Sequence, residues 1–233
     1  MASTVRKHLA WRDATVADAR SESSTARTLS LDVPDWDDHV GGQHIDLRLT
    51  ADDGYQATRS YSISSGPGEQ PEITVEKVDD GEVSPFIVED VLVGDTLEVR
   101  GPVGGYFVWD GTSDAPLLLL GGGSGIAPLR AIWRAAAGTV PITVLYSART
   151  KDRVIFDEEL SSNAALDARI HLTRENVDGY VSGRLDHAAI AEAVGNTEPL
   201  VFVCGPTAFV EAVVTDLVAA GVDPTAIRTE RFG

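Results

Sequence analysis

The sequence predicts two folded units: a six-stranded antiparallel β-barrel over residues 1–112 and a doubly wound α/β unit with a parallel sheet over residues 113–233. Three observations carry this expectation. The first half is filled by short β-rich runs separated by turn residues. After the polar stretch 110–116, DGTSDAP, apolar runs alternate with helical spacing instead. At the change stands LLLLGGGSGIAP, residues 117–128, an unbroken apolar run that enters glycines and opens an alanine-rich stretch.

In the first unit, strands are expected at 14–17, 25–31, 44–49, 59–64, 72–78 and 96–100. Turn signals lie between them at Pro34, Gly41-Gly42, Asp52-Asp53-Gly54, Gly66-Pro67-Gly68, Asp80-Gly81 and Gly94-Asp95. Short strands at this spacing suit a small closed barrel. One short helix, 85–92, interrupts the series, and Pro85 suits its first turn.

In the second unit, strands are expected at 117–120, 142–146, 169–173, 200–204 and 226–230, with helices at 128–137, 156–161, 184–194 and 206–220. Four successive leucines suit a strand buried on both faces. Pro128 is expected to open the first of these helices, with Leu129, Ile132, Trp133 and Ala136 at helical spacing. The last helix carries an apolar stripe at Phe209, Val210, Val213, Leu217 and Val218. A strand, a glycine turn and a helix start form an anion site, so Gly121, Gly122, Gly123, Ser124 and Gly125 with Pro128 are candidates to bind a pyrophosphate. The turn is neither GxGxxG nor GxxxxGK[ST]. Ligands of such sheets sit beyond the carboxyl ends of the strands. There lie Ser147 and Arg149 after the second strand, Thr173-Arg174 at the third, and Cys204-Gly205-Pro206 at the fourth.

Composition narrows the function classes. The chain has 233 residues with 19 basic and 36 acidic side chains, a net charge of −17, which argues against nucleic-acid binding. The acidic excess is concentrated in residues 1–112. No apolar run reaches the length of a membrane span, and MASTVRKHLAWRD lacks the apolar core of a secretion signal. One cysteine, Cys204, excludes an internal disulfide and a four-thiolate iron–sulfur cluster within the sequence. A cytoplasmic protein is the expectation. His8, His39, His44, His171 and His187 show no metal-ligand spacing, so no metal is expected.

Arg59-Ser60-Tyr61-Ser62 forms an RxYS run in the β unit, followed by GGGSGIAP and a later Cys-Gly-Pro in the α/β unit. Motif order and spacing resemble the ferredoxin–NADP reductase superfamily of flavoproteins, from about Trp11 to Phe232. The resemblance implies an FAD-binding barrel followed by an NAD(P)-binding α/β domain. It implies that Arg59 pairs with a flavin phosphate, that Tyr61 packs on the flavin and that Ser62 sits near flavin N5. Gly81-Glu82-Val83-Ser84 matches the family's G-x-x-S segment, whose helix start holds the FAD pyrophosphate; Gly81, Val83 and Ser84 are the matched positions. Residues 100–107, RGPVGGYF, look like the family's barrel-closing loop. Cys204 matches a thiol beside the nicotinamide. Glu230-Arg231-Phe232-Gly233 resembles the family's acidic–aromatic end, with Glu230 as a carboxylate near the flavin and Phe232 as its cover; here Arg-Phe-Gly follows the glutamate.

The resemblance implies an FAD-dependent NAD(P)H:acceptor oxidoreductase. Hydride would pass from nicotinamide to flavin with Ser62, Cys204 and Glu230 as catalytic residues, and electrons would leave singly to a separate protein: a ferredoxin, a flavodoxin, an oxygenase component or a haem protein. NADPH is expected over NADH. The Thr173-Arg174-Glu175 run resembles the hydroxyl–arginine pair that grips a 2′-phosphate, with Ser147, Arg149 and Tyr180 nearby, while Glu175 and Asp178 are the carboxylates that would favour NADH. The alternative is a non-catalytic FAD-binding electron-transfer or sensor subunit, because fold alone does not set function.

Overall fold

The computed structural model of the chain describes residues 9–51 and 53–232. His8, Asp52 and Gly233 lie outside the described residues.

The first sheet contains β1 (Arg12–Ser21), β2 (Ala26–Asp32), β3 (His44–Thr50), β4 (Gln56–Ser62), β5 (Glu72–Glu76) and β6 (Thr96–Val103). Its order is β4-β3-β6-β1-β2-β5, and every pairing is antiparallel. The sheet curls until its edges meet at one bridge, Ile63 to Ile73, between the ends of β4 and β5. Alternation drives the curl. Leu29, Leu31, Ile45, Leu47, Ile73, Val75, Leu97 and Val99 turn inward to form one apolar core. The helix α1 (Ser84–Glu89) starts at Ser84, one residue before the expected Pro85, and plugs one end of the barrel with Ile87.

The second sheet runs β10-β9-β8-β7-β11-β12, with parallel pairings throughout. Its strands are β7 (Leu117–Gly122), β8 (Ile142–Ala148), β9 (Leu166–Leu172), β10 (Val181–Ser182), β11 (Leu200–Pro206) and β12 (Ile227–Phe232). The two-residue β10 is too short to read from sequence periodicity. All six residues of β7 are buried, as its leucine run requires of a central strand. Four helices cover the sheet: α2 (Ile126–Ala136), α3 (Asp157–Ser162), α4 (His187–Val194) and α5 (Thr207–Ala219).

Two sequence readings are corrected here. Helix α2 begins at Ile126 because a 3-10 turn, Gly123–Gly125, leads straight into it; Pro128 stands inside the first turn rather than opening the helix. On α5, Val210, Val213 and Leu217 are buried, whereas Val218 is exposed on the far side of the helix.

Chain order reverses at β7, which has β8 on one side and β11 on the other. That switch point opens a crevice at the strands' carboxyl ends. The chain entering the second sheet is itself shared: Phe107 and Trp109 precede the 110–116 stretch yet pack into the second core, Phe107 edge-on to Phe202 at 5.3 Å.

Candidate active site

A cleft of about 620 Å³ lies where the two sheets face each other. Arg59, Ser60, Tyr61 and Ser62 of β4 line one wall, with Gly81, Glu82, Val83 and Ser84 at the start of α1. Cys204, Glu230 and Phe232 come from the other sheet, with Ser124 of the glycine turn and Ala127 of α2 beside them. The fold therefore brings the RxYS run, the G-x-x-S segment, the thiol and the carboxylate onto one cavity, from four separate places in the sequence.

The glycine turn meets that cavity for a steric reason. Gly123 has φ +55°, a left-handed conformation that a side chain would strain. Gly125 packs so tightly on β11 that an added Cβ would stand 2.2 Å from the Cys204 carbonyl oxygen. No side chain fits there, so α2 can press directly on the strand that carries Cys204. Gly121, Gly122 and Gly125 are buried, and Ser124 is the part of the turn that lines the cleft. Gly205 is buried and Pro206 exposed, at the junction of β11 with α5.

Cys204 and Glu230 are register partners on β11 and β12. The thiol is 1 % exposed. Burial, then the nearby Glu230 carboxyl, push it up from its usual range, so it is neutral at pH 7. Glu230 Oε2 is buried with no hydrogen-bond partner among the described residues. Burial pushes its carboxyl up to about 7, where it exchanges a proton near neutrality. On the opposite wall, burial pushes Tyr61 up to about 12, with Arg59 opposing, so the phenol stays neutral. Arg59 is half exposed; its guanidinium donates to the Thr58 carbonyl at 2.9 Å and reaches Glu82 at 3.4 Å. The Ser84 hydroxyl accepts from the Val78 N–H at 3.1 Å.

Ser147, Arg149, Thr173, Arg174 and Tyr180 lie outside this cleft, at the carboxyl ends of β8 and β9. The Arg174 N–H donates to the Arg149 carbonyl at 2.9 Å, which sets the two arginines side by side. Both are exposed. A neighbouring shallow depression is lined by Lys151, Asp152, Glu175, Asn176 and Val177. The Lys151 N–H donates to Glu175 Oε2 at 2.8 Å. Tyr180 is committed locally: its hydroxyl donates to the Asp157 carboxylate at 2.7 Å, and Lys151 lies over its ring. Burial and this carboxylate push the phenol up to about 12.

Sequence reasoning missed several contributors to the cavity. His44, Thr74 and Glu76 line it from β3 and β5, and no motif singles them out. It also missed the polar seam beside it. Arg130 of α2 is 5 % exposed and donates to Glu72 of β5 at 2.7 Å, to the Ser64 carbonyl at 3.2 Å and to Glu159 of α3 at 2.8 Å. Two arginines in an otherwise apolar helical run, Arg130 and Arg134, were the only available sign.

Among the described residues, no group of three or more His, Cys, Asp and Glu is placed to hold a metal ion, and no helix is long and apolar enough to cross a membrane. A flavin and a nicotinamide fit the residues present. The cleft is large and mixed apolar and polar, its floor carries an orphaned buried carboxyl oxygen, and a cation stands at its mouth.

Comparison with known proteins agrees with this geometry. The oxidoreductase FAD-binding domain matches residues 13–108, and the oxidoreductase NAD-binding domain matches residues 119–215. The chain is 34 % identical over 209 residues to the glycine betaine monooxygenase reductase subunit of Chromohalobacter salexigens, covering 82 % of this chain and 55 % of that protein. It is 31 % identical over 235 residues to the ferredoxin reductase component of 3-ketosteroid-9-alpha-monooxygenase from Mycobacterium tuberculosis, covering 93 % and 64 %. The chain thus spans between about half and two thirds of the curated relatives it matches. Among solved structures it is similar to the flavohem-like FAD/NAD-binding domain of nitric oxide dioxygenase from Vibrio cholerae, with a TM-score of 0.85 and 26 % identity over 95 % of this chain and 98 % of that one.

Proposed function

Because the chain belongs to the ferredoxin–NADP reductase superfamily of FAD- and NAD-binding oxidoreductases, we propose that it is a reductase that accepts hydride from a reduced nicotinamide and delivers electrons singly to a separate redox protein. One observation carries the reading: the cleft that joins Tyr61 and Ser62 on one sheet to Cys204 and Glu230 on the other. Bound FAD supplies the conversion between two-electron and one-electron chemistry.

The chain's own residues do the rest. Arg59 would exchange Glu82 for a flavin phosphate, and the N–H groups of Val83 and Ser84 would face its pyrophosphate, while Gly81, whose N–H donates to the Val78 carbonyl at 2.9 Å, sets the turn before them. With FAD bound, Tyr61, kept neutral, would pack on the ring, Ser62 would stand near its reactive nitrogen, and Phe232 would cover it. The neutral Cys204 thiol shapes the nicotinamide's seat rather than attacking it. Glu230 holds or releases a proton at Oε2 as charge in the cleft changes. Gly121–Gly125, Pro128, Gly205 and Pro206 form the dinucleotide's side of the site. We assign residues 1–112 to the flavin domain and 113–233 to the nicotinamide domain; the change of sheet between Val103 and Leu117 supports that division.

NADPH is the proposed donor. Support comes from Arg149 and Arg174, adjacent, exposed and, among the described residues, without a carboxylate partner. Ser147 and Thr173 stand beside them to add hydroxyls, while Glu175 is drawn back onto the Lys151 N–H. Tyr180 would have to release Asp157 to join them. The names of the two monooxygenase reductases support an oxygenase component or its ferredoxin as acceptor, with flavodoxins and haem proteins as further classes to assay. The cytoplasm is the proposed compartment, and the single unpaired cysteine supports it.

The test is stopped-flow reduction of the FAD-loaded chain by NADPH and by NADH, followed by transfer to candidate acceptors. Rapid bleaching of the flavin, faster per mole of NADPH, is expected. No bleaching by either nicotinamide would turn the assignment to a non-catalytic flavin subunit. An arginine–phosphate contact is worth about 1.5–3 kcal/mol, so Arg149→Ala or Arg174→Ala should lower the NADPH/NADH ratio of kcat/KM by roughly tenfold or more. A wild-type preference for NADH would reverse the donor assignment.

A further inference from the structure

The glycine turn is already engaged by an anion that belongs to the chain. The Ser124 N–H donates to Glu76 Oε2 at 3.0 Å. The same oxygen would stand 3.2 Å from a Cβ on Gly123, so the carboxylate lies directly against the turn. Glu76 is the last residue of β5, in the flavin-side sheet, and reaches across the cleft to the glycine turn that follows β7. Its neighbour Lys77 pairs outward with Glu89 at 2.5 Å, and no arginine or lysine is bonded to Glu76 among the described residues. A carboxylate without a cation is held there by the Ser124 N–H and the positive end of α2.

We propose that Glu76 is an affinity-setting residue for the nicotinamide dinucleotide, acting as a built-in competitor for the glycine turn. This rests on the reading above, in which that turn receives the dinucleotide's pyrophosphate. Two anions cannot share one N–H and one helix end. The dinucleotide therefore binds only when Glu76 leaves Ser124, and while both occupy the cleft their like charges oppose each other. The consequence is weaker binding of every ligand that carries the pyrophosphate. A ligand without it is unaffected.

The experiment uses the FAD-loaded protein and measures equilibrium dissociation constants by calorimetry, with no turnover. The probes are NADP⁺, NAD⁺, ADP-ribose (pyrophosphate without nicotinamide) and nicotinamide riboside (nicotinamide without pyrophosphate). Glu76→Gln keeps the shape and removes the charge; Glu76→Ala removes the competing oxygen as well. Glu76→Gln should tighten NADP⁺, NAD⁺ and ADP-ribose by about tenfold at low salt and leave nicotinamide riboside unchanged. The gain should shrink as salt approaches 1 M, because screening removes a charge effect and not a packing effect. Binding of ADP-ribose that is unchanged or weaker in both variants, with normal binding by wild type, overturns the role of Glu76 and leaves the reading of the site intact. Failure of wild type and both variants to bind any dinucleotide overturns that reading and the competitor with it.

Discussion

Glu230 shows how one residue's environment decides its chemistry. On the surface it would be an ordinary carboxylate; at its β12 position burial without a partner pushes it up to about 7. A buried carboxyl of this kind exchanges its proton at the pH where the reductase is proposed to work. The rate of flavin reduction or reoxidation should therefore show an inflection near pH 7 that disappears in Glu230→Gln, while the flavin spectrum is kept. An unchanged pH profile would remove Glu230 from proton handling. Cys204 sits beside it with the opposite consequence. The thiolate is the nucleophile, and burial together with the Glu230 carboxyl suppresses it. Thiol reagents should leave the native protein unmodified and label one site per chain only after unfolding.

Among the elements, α2 carries the contact between the two halves. Its residues are buried from Ile126 to Trp133, and Arg130 is the one charge among them. Arg130 ties Glu72 of the flavin-side sheet to Glu159 of α3. Arg20 adds a second bond to Glu72 at 2.7 Å, and Arg134 a second to Glu159 at 3.0 Å. Removing one partner of a buried ion network leaves the others without compensation. Arg130→Met should lower unfolding stability by about 3 kcal/mol, the low end of the usual range because Arg20 and Arg134 remain. Denaturant midpoints measure it, and a change below about 1 kcal/mol would mean the seam is no stronger than a surface pair.

At the scale of the whole molecule, the same seam sets the response to acid. Burial alone would raise Glu72, yet hydrogen bonds from Arg20 and Arg130 outweigh it and hold the carboxyl down to about 2. Glu159 is likewise raised by burial and then held at about 2 by Arg134, Arg130 and Trp133. Folded values below the ordinary carboxylate range give stability that is present above about pH 4.5 and is lost as pH falls toward 2. Denaturant midpoints should therefore fall steeply between pH 4.5 and pH 2.5, and less steeply in Arg130→Met. The net charge of −17 adds self-repulsion between surface carboxylates at neutral pH, which salt screens.

Much of this was legible in the chain because it is written in local patterns. Alternation predicted the first sheet, the leucine run predicted the buried central strand, and the resemblance carried by RxYS, GGGSGIAP and Cys-Gly-Pro implied a two-domain flavoprotein. The strand readings depend on residues close in sequence whose spacing matches a strand, and the resemblance on short motifs in a fixed order. The tertiary structure alone decided the rest. Glu76 meets Ser124 across 48 residues, and Arg130 meets Glu72 across 58. Neither pair has a local signature, because a carboxylate on a strand or an arginine on a helix looks the same whether it faces solvent or an opposing domain. The orphaned state of Glu230 is of the same kind. A charge's partners, and therefore its protonation, follow from what the other half of the molecule places against it.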